Sequence, residues 1–259
     1  MAIKLGMPTL IEKDNLIDNI MLCKELELDF IELNMNLPYC MPENNSPEKI
    51  LKLKEEYNVD FTLHFPEEID FGCFYEEIRQ GNIILFNNIA TWASKIGIEK
   101  INLHLNPGIY FTLPKEKIFV YEKYKELFIE KFIDSMMNLI DIVNPLGITV
   151  CVENMKVHRF MEETFKKMTN ISNLYFTWDV GHDAMSNYRM EKIYLENPKK
   201  IGHMHLHDYN GISDHQILFE GTVPIKERLK FAEDNNLTVV VETKTEEALR
   251  ESIKRLNYV

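Results

Sequence analysis

Cysteine is scarce in this chain, and none of it is paired by spacing. Cys23, Cys40, Cys73 and Cys151 are scattered through 259 residues with no Cys-x-x-Cys among them. That argues against a disulfide-stapled scaffold or a paired-thiolate zinc site and fits free thiols in a reducing cytoplasm. Basic charge is short as well. Lys and Arg number 29 against 41 Asp and Glu, a formal net charge of −12, which argues against an extended basic surface for gripping nucleic acid. No apolar run approaches the roughly 18 residues that cross a membrane, and the opening MAIKLGMPTLIEKDN lacks the charged-then-apolar layout of a signal peptide. Ser/Gly-rich linkers, low-complexity tracts and shifts of composition are missing too. The expectation is a soluble, cytoplasmic protein with one domain over residues 1–259.

What the chain does have is a series of short apolar runs, most of them ending in His, Glu or Asp. They are Lys4-Leu-Gly-Met7, Phe30-Ile-Glu32, Phe61-Thr-Leu-His64, Ile101-Asn-Leu-His104, Val150-Cys-Val-Glu153, Tyr175-Phe-Thr-Trp-Asp179, Met204-His205 and Val239-Val-Val-Glu242. Runs of this kind read as strands of a parallel sheet buried on both faces. Helical patterns separate them. Ser46-Pro47-Glu48 is a capped helix start. Leu85, Ile89, Trp92 and Ile96 form a stripe that ends at Gly97. The spacing predicts the longest helix over about 120–143, with Phe128, Phe132, Met136, Leu139 and Val143 inward and Pro145 and Gly147 ending it. Thr245 caps a last helix carrying Leu249, Ile253 and Leu256. Eight strands alternating with helices in about 250 residues predict an α/β fold, a single (β/α)8 TIM barrel, whose active sites form at the C-terminal rim of the strands.

Glu153, Asp179, His205 and Glu242 end the fifth to eighth predicted strands. Carboxylates with one imidazole suit a hard or borderline divalent ion, Mn²⁺, Mg²⁺, Co²⁺ or Zn²⁺. His203, His205 and His207 fall on the same side of their strand, so alternation alone does not choose among them. His64 and His104 end neighbouring strands, and His182 follows Asp179 by three. With His215 they form a second tier for substrate contact or a second metal. Lys156 and Lys244 closely follow the two glutamates and offer cations for a substrate phosphate or carboxylate; solvated loop lysines are the plainer reading. His158 reads as solvent-facing and Trp178 as core packing. Arg79 reads as a rim or helix-surface cation, and Phe65, Tyr110 and Phe111 as pocket walls or loop packing.

The ordered set of motifs resembles the xylose-isomerase-like barrel superfamily, which includes sugar phosphate isomerases and epimerases and the endonuclease IV group. The resemblance is carried by Leu63-His64-Phe65-Pro66, Leu103-His104-Leu-Asn-Pro-Gly108, Val152-Glu153-Asn154, Asp179-Val-Gly-His182, His205-Leu-His-Asp208, Asp214-His215, Glu220-Gly221 and Val241-Glu242-Thr243. It implies that one divalent ion is held by Glu153, Asp179, His205 and Glu242, and it selects His205 from the trio. The endonuclease IV pattern would add His64, His104, His182 and His215 to a three-zinc cluster. That group has an aspartate where this chain has Ser213, and Asp214, displaced by one, is expected to point elsewhere.

The resulting expectation is a metal-dependent isomerase or epimerase of a small sugar, sugar phosphate or hydroxy-carbonyl compound. An enediolate would form at the metal, with Glu153 and Glu242 as acid and base on opposite faces. The alternative is an endonuclease IV-like hydrolase at abasic DNA, against which the rim loop Asn34 to Asn45 and the stretch after His64 offer no basic residue. A non-catalytic ligand-binding barrel is a third reading, opposed by the intact glutamate pair. The expected partner is a carbohydrate, with no membrane, and a homodimer is allowed.

Overall fold

The computed structural model, which describes residues 3–257, turns the strand–helix alternation into a closed barrel. Its first half is β1 (Lys4–Pro8), α1 (Leu16–Glu25), β2 (Phe30–Asn34), α2 (Pro47–Tyr57), β3 (Asp60–His64), α3 (Glu76–Lys95) and β4 (Lys100–His104). A hairpin of β5 (Tyr110–Thr112) and β6 (Lys117–Phe119) then precedes α4 (Val120–Lys123) and α5 (Lys125–Val143). The remainder is β7 (Thr149–Glu153), α6 (Glu162–Met168), β8 (Leu174–Asp179), α7 (Val180–Met185), α8 (Glu191–Glu196), β9 (Ile201–Leu206), α9 (Ile225–Asp234), β10 (Thr238–Val241) and α10 (Glu246–Leu256). Eight parallel strands close in the order β1-β2-β3-β4-β7-β8-β9-β10, and Lys4 in register with Thr238 seals the ring.

The strands are buried on both faces, as expected, but the two faces differ in kind. Along Phe61-Thr62-Leu63-His64, Ile101-Asn102-Leu103-His104 and Val150-Cys151-Val152-Glu153, the first and third residues join the apolar core shared with the helices. The second and fourth enter the lumen. Contacts across the barrel establish this: His203 of β9 meets Glu32 of β2, and Lys100 of β4 donates to Thr238 of β10. The runs that read as continuously hydrophobic are therefore alternating, with a polar interior. Gly6 sits where an added Cβ would lie 2.6 Å from the Phe30 ring, so its missing side chain makes room for that ring.

The helices follow local signals. Ser46 accepts from the Lys49 N–H and Pro47 opens α2, while Thr245 accepts from the Ala248 N–H at the start of α10. Two expectations need correction. The helix expected over 120–143 breaks at Tyr124, whose backbone (φ −120°, ψ 47°) leaves the helical region, so the 20-residue α3 is the longest. Of the stripe expected on α3, Ile89 and Trp92, with Ile96 just beyond, are buried as expected, but Leu85 is exposed and its neighbour Phe86 takes the inward place along with Arg79, Ile83, Ala90 and Ala93. Removing the last cap by Thr245→Ala should cost about 1 kcal/mol, and the thermal midpoint should fall by about 2–4 °C. An unchanged melting curve would show that the cap contributes nothing.

Candidate active site

Parallel strands of one barrel deliver their C-terminal residues to a common rim, and this rim collects six of the chain's eight histidines, His64, His104, His182, His205, His207 and His215. Glu153, Asp179, His205 and Glu242 come together with one donor atom from each within 4.8 Å of the others. His205 Nδ1 lies 3.0 Å from Glu242 Oε2, 3.3 Å from Glu153 Oε2 and 4.0 Å from Asp179 Oδ2. His205 and Asp179 are fully buried, and Glu242 is 9% exposed. Buried imidazole and carboxylate atoms ordinarily have hydrogen-bond partners, yet His205 Nδ1 and Glu242 Oε2 have none. Four convergent donor side chains, two of them with orphaned atoms, are what a divalent ion would satisfy, so the residues fit such a group.

Local structure fixes the frame. Asn154 donates through Nδ2 to the Asp179 carbonyl and accepts from the Asp179 N–H, stapling the end of β7 to β8. Asp179 caps α7 by accepting from the His182 N–H at 2.7 Å. His207, fully buried, accepts from the His215 N–H at Nδ1 (2.8 Å), so its proton sits on Nε2 and is donated to Asp179 at 3.0 Å. Both nitrogens of His207 are thus engaged within the protein. The ring fits only because residue 181 is glycine, where a Cβ would lie 2.1 Å from it.

Two further groups adjoin. His64 Nε2 and His104 Nε2 each lie 3.5 Å from Glu153 Oε2. The His64 Nδ1 proton goes to the Phe65 carbonyl at 2.9 Å, so Nε2 is the nitrogen that faces the glutamate. Glu153 also accepts from Asn102. On the other side, His182 Nε2 lies 3.3 Å from Asp214 Oδ2, and His215 Nδ1 lies 3.2 Å from Asp214 Oδ1.

Charge follows the geometry. Burial alone would raise the Glu153 carboxyl, but His205 and His104 hold it well below the ordinary carboxylate range. Burial would likewise raise Glu242, and Lys244 with His205 holds it low. Conversely, burial would lower His205, while Glu153, Glu32 and Glu242 push it well above its usual value. His182 is raised against burial by Asp179 and Asp214. His64 is raised to about 9, burial again opposing and Glu153 prevailing.

A model of the xylose isomerase-like TIM barrel matches residues 20–259. The chain belongs to this family. The uncharacterized protein MJ1614 of Methanocaldococcus jannaschii is 28% identical over 225 residues, covering 83% of this chain and 81% of that protein. A D-tagatose 3-epimerase-like protein superposes with a TM-score of 0.81 at 20% identity, over 99% of this chain and 96% of the other. The 3-keto-D-glucoside 4-epimerase YcjR of E. coli gives 0.77 at 17%, covering 99% and 98%. The IOLI protein, solved with a bound zinc atom, gives 0.76 at 17%, covering 98% and 96%. At these identities the likeness to the solved structures is one of fold.

Within this xylose isomerase-like barrel, several positions differ from expectation. Asp214 does not point elsewhere. His215 adopts a left-handed backbone (φ 53°), and the bridge between Asp208 and Gln216 pins the loop, so alternation does not govern it and the carboxylate turns onto His182 and His215. Arg79 is neither a rim nor a surface cation: it is 1% exposed, donates to the Cys73 carbonyl and pairs with Glu76. His158 is half-buried against Phe119, ring centroids 4.2 Å apart, rather than solvent-facing. Phe65 packs with Phe71 and Phe86, while Tyr110 and Phe111 are exposed on the β5–β6 hairpin. Trp178 is core, as expected, and donates to Asp183 at 3.1 Å. Lys244 reaches the site and donates to Glu242 at 2.7 Å; Lys156 is exposed in the loop after β7.

Glu32 and Asn102 had no assigned role in the sequence, and His207 was there only one of three candidate ligands on its strand. For Glu32 a signal existed, since it ends a run as the other acids do. Gly181→Ala should force the His207 ring off Asp179 and cost about 1–3 kcal/mol by overpacking. Thermal unfolding would register this as a lower midpoint, and an unperturbed midpoint would contradict the packing of ring against glycine.

Proposed function

We propose that the chain is a divalent-metal-dependent isomerase or epimerase of a small sugar, sugar phosphate or hydroxy-carbonyl compound. The observation that carries this reading is the pair of glutamates on His205 Nδ1, Glu153 at 3.3 Å and Glu242 at 3.0 Å, closing one buried donor set from two strands. The epimerases among the similar structures, and the zinc in the IOLI protein, support it. Glu153, Asp179, His205 and Glu242 would hold the ion, Mn²⁺, Mg²⁺, Co²⁺ or Zn²⁺, which when bound supplies Lewis-acid stabilisation of negative charge developing on the substrate oxygen. The chain's own groups do the rest. Glu242, the more accessible of the pair, is kept ionised by Lys244 and so starts as a proton acceptor at the mouth of the site. Glu153 lies deeper, its carboxylate oriented by Asn102. One takes the proton from the carbon beside the carbonyl, and the other delivers a proton to the opposite face, drawn from the protonated imidazole beside it, His64 for Glu153 or His215 for Glu242. His64 and His104 stand beside Glu153, where they can meet substrate hydroxyls. Lys244 is placed for an anionic substituent, and Lys156 is the more remote cation. The substrate partner is a carbohydrate, handled in the cytoplasm by one barrel domain.

A second reading, metal-dependent phosphodiester hydrolysis, is favoured by one observation: the His182–Asp214–His215 group together with His64 and His104 on Glu153. Counting tightly bound zinc separates the two, one ion for the isomerase and two or three for the hydrolase.

Ion binding should depend on pH with a definite sign. His205, the one imidazole in the proposed ligand set, is raised well above its usual value, so in the ion-free protein it carries a proton that an entering ion must displace from Nδ1. Zinc affinity should therefore climb with pH through and above the ordinary imidazole range, by about tenfold per pH unit for that proton. Competition with a chelator measures it. Asp179→Ala, still folded, should retain little zinc, and equal zinc in both proteins would sink the assignment.

Proton transfer tests the chemistry. Incubation in heavy water with ketoses, aldoses and their phosphates should place deuterium beside the carbonyl of an accepted substrate. Glu153→Gln or Glu242→Gln should slow that exchange by about a hundredfold or more. Exchange that survives both changes with metal content intact would exclude the two-glutamate mechanism. Cleavage of abasic DNA without exchange in any sugar would transfer the assignment to the hydrolase reading.

A further inference from the structure

The lumen of an eight-stranded barrel is ordinarily packed with branched apolar side chains. Here a column of polar groups crosses it from floor to rim. At the floor, Lys100 lines a cavity of about 210 Å³ together with Lys4, Asp29 and Asp60. Its Nζ donates to the Gly202 carbonyl at 2.8 Å and to Thr238 Oγ1 at 2.7 Å. Thr238 Oγ1 is 2.6 Å from His203 Nδ1, and His203 Nε2 is 3.1 Å from Glu32 Oε2. Thr62 donates to the same glutamate oxygen at 3.1 Å. The other oxygen, Glu32 Oε1, lies 2.8 Å from His205 Nε2. Glu32, His203 and His205 are 2%, 1% and 0% exposed.

An ammonium can only donate. The Thr238 hydroxyl, accepting from Lys100, passes its own proton on to His203 Nδ1. His203 then carries its proton on Nε2 and donates it to Glu32. With Thr62 and His203 both donating to Oε2, Glu32 keeps Oε1 as a free acceptor facing His205. Neither His205 nitrogen has an aligned hydrogen-bond partner in the ion-free geometry, although Oε1 is within reach of Nε2.

We propose that Glu32 is a positioning residue for His205. It accepts the Nε2 proton and so leaves Nδ1 as the nitrogen turned to Glu153, Asp179 and Glu242, the one that gives up its proton when an ion enters, while Lys100, Thr238 and His203 set the direction of this chain from the barrel floor. The inference rests on the reading that an ion sits at Nδ1. Carboxylates behind a metal-bound histidine orient the ring and raise its basicity, and their loss weakens binding by about 10–100-fold.

The test uses zinc alone on the full chain. In the zinc-loaded, ¹⁵N-labelled wild-type protein, His205 should show zinc on Nδ1 and a proton on Nε2. Chelator competition should give a zinc affinity about 10–100-fold lower for Glu32→Gln, with Thr238→Val weakened in the same direction by less. Thermal unfolding of the ion-free proteins separates this from a role in folding alone, in which the midpoint would drop and the affinity would not. If Glu32→Gln does not fold, Thr238→Val and the wild-type spectrum decide. Zinc on Nε2 of His205, or unchanged affinity in a folded Glu32→Gln protein, overturns the proposal. A wild-type protein that binds no zinc removes the metal reading and this inference together, whereas equal binding by wild type and Glu32→Gln removes only the inference.

Discussion

Acids taken out of water must be compensated by partners within reach, and the interior of this barrel is organised around that requirement. Glu32, Glu153 and Asp179 are each 2% exposed or less. An isolated carboxylate in such a place would be neutralised by its own desolvation. Each is held ionised instead by imidazoles arriving from neighbouring strands: Glu32 by His205 and His203, Glu153 by His205 and His104, Asp179 by His182 and His207. Strand register makes this possible. Asp179 sits level with His205, and His104 with Glu153, so acid and base enter the lumen at one height from adjacent strands. Histidine suits the task because it can carry charge when the cavity holds only carboxylates and surrender it when another cation enters.

The fold was legible because its signals are local. Apolar runs of four to six residues, capped helix starts such as Ser46 and Thr245, and glycine stops such as Gly97 and Gly147 each follow from neighbours in sequence. The residues at the ends of the strands were legible for the same reason, since a barrel converts the last residue of each strand into a rim position. What escaped notice depends on distant parts of the chain. Glu32 meets His203 across 171 positions of sequence, and no spacing rule connects them. Asp214 was misjudged because two-residue alternation holds along strands and fails in a loop bent by a left-handed residue. Arg79 and Leu85 were misjudged because one step along a helix turns a side chain by about 100°, enough to exchange core for solvent.

The two chemistries proposed for this barrel would draw on nearly the same residues. The same four rim side chains could serve an isomerase or form the middle of a larger metal cluster. Beside those four stand the histidines flanking Glu153 and a single carboxylate, Asp214, on the loop after β9. Overall architecture is silent on the choice, since function resides in the site and not in the fold that presents it.

The seam between β1 and β10 carries a consequence for how the site comes into being. Lys4 pairs with Thr238 across nearly the whole sequence, and contacts this distant tend to form late because the intervening chain must be ordered first. Thr238 belongs to the polar column, and Glu242 follows directly after β10. During synthesis, an emerging chain can stack its early β-strands and helices, yet it lacks one wall of the cavity until this last strand docks. The rim cavity is thereby completed only by the last strand: a half-made barrel has the histidines but not the enclosure, and its acids and imidazoles stay in water until the seam closes.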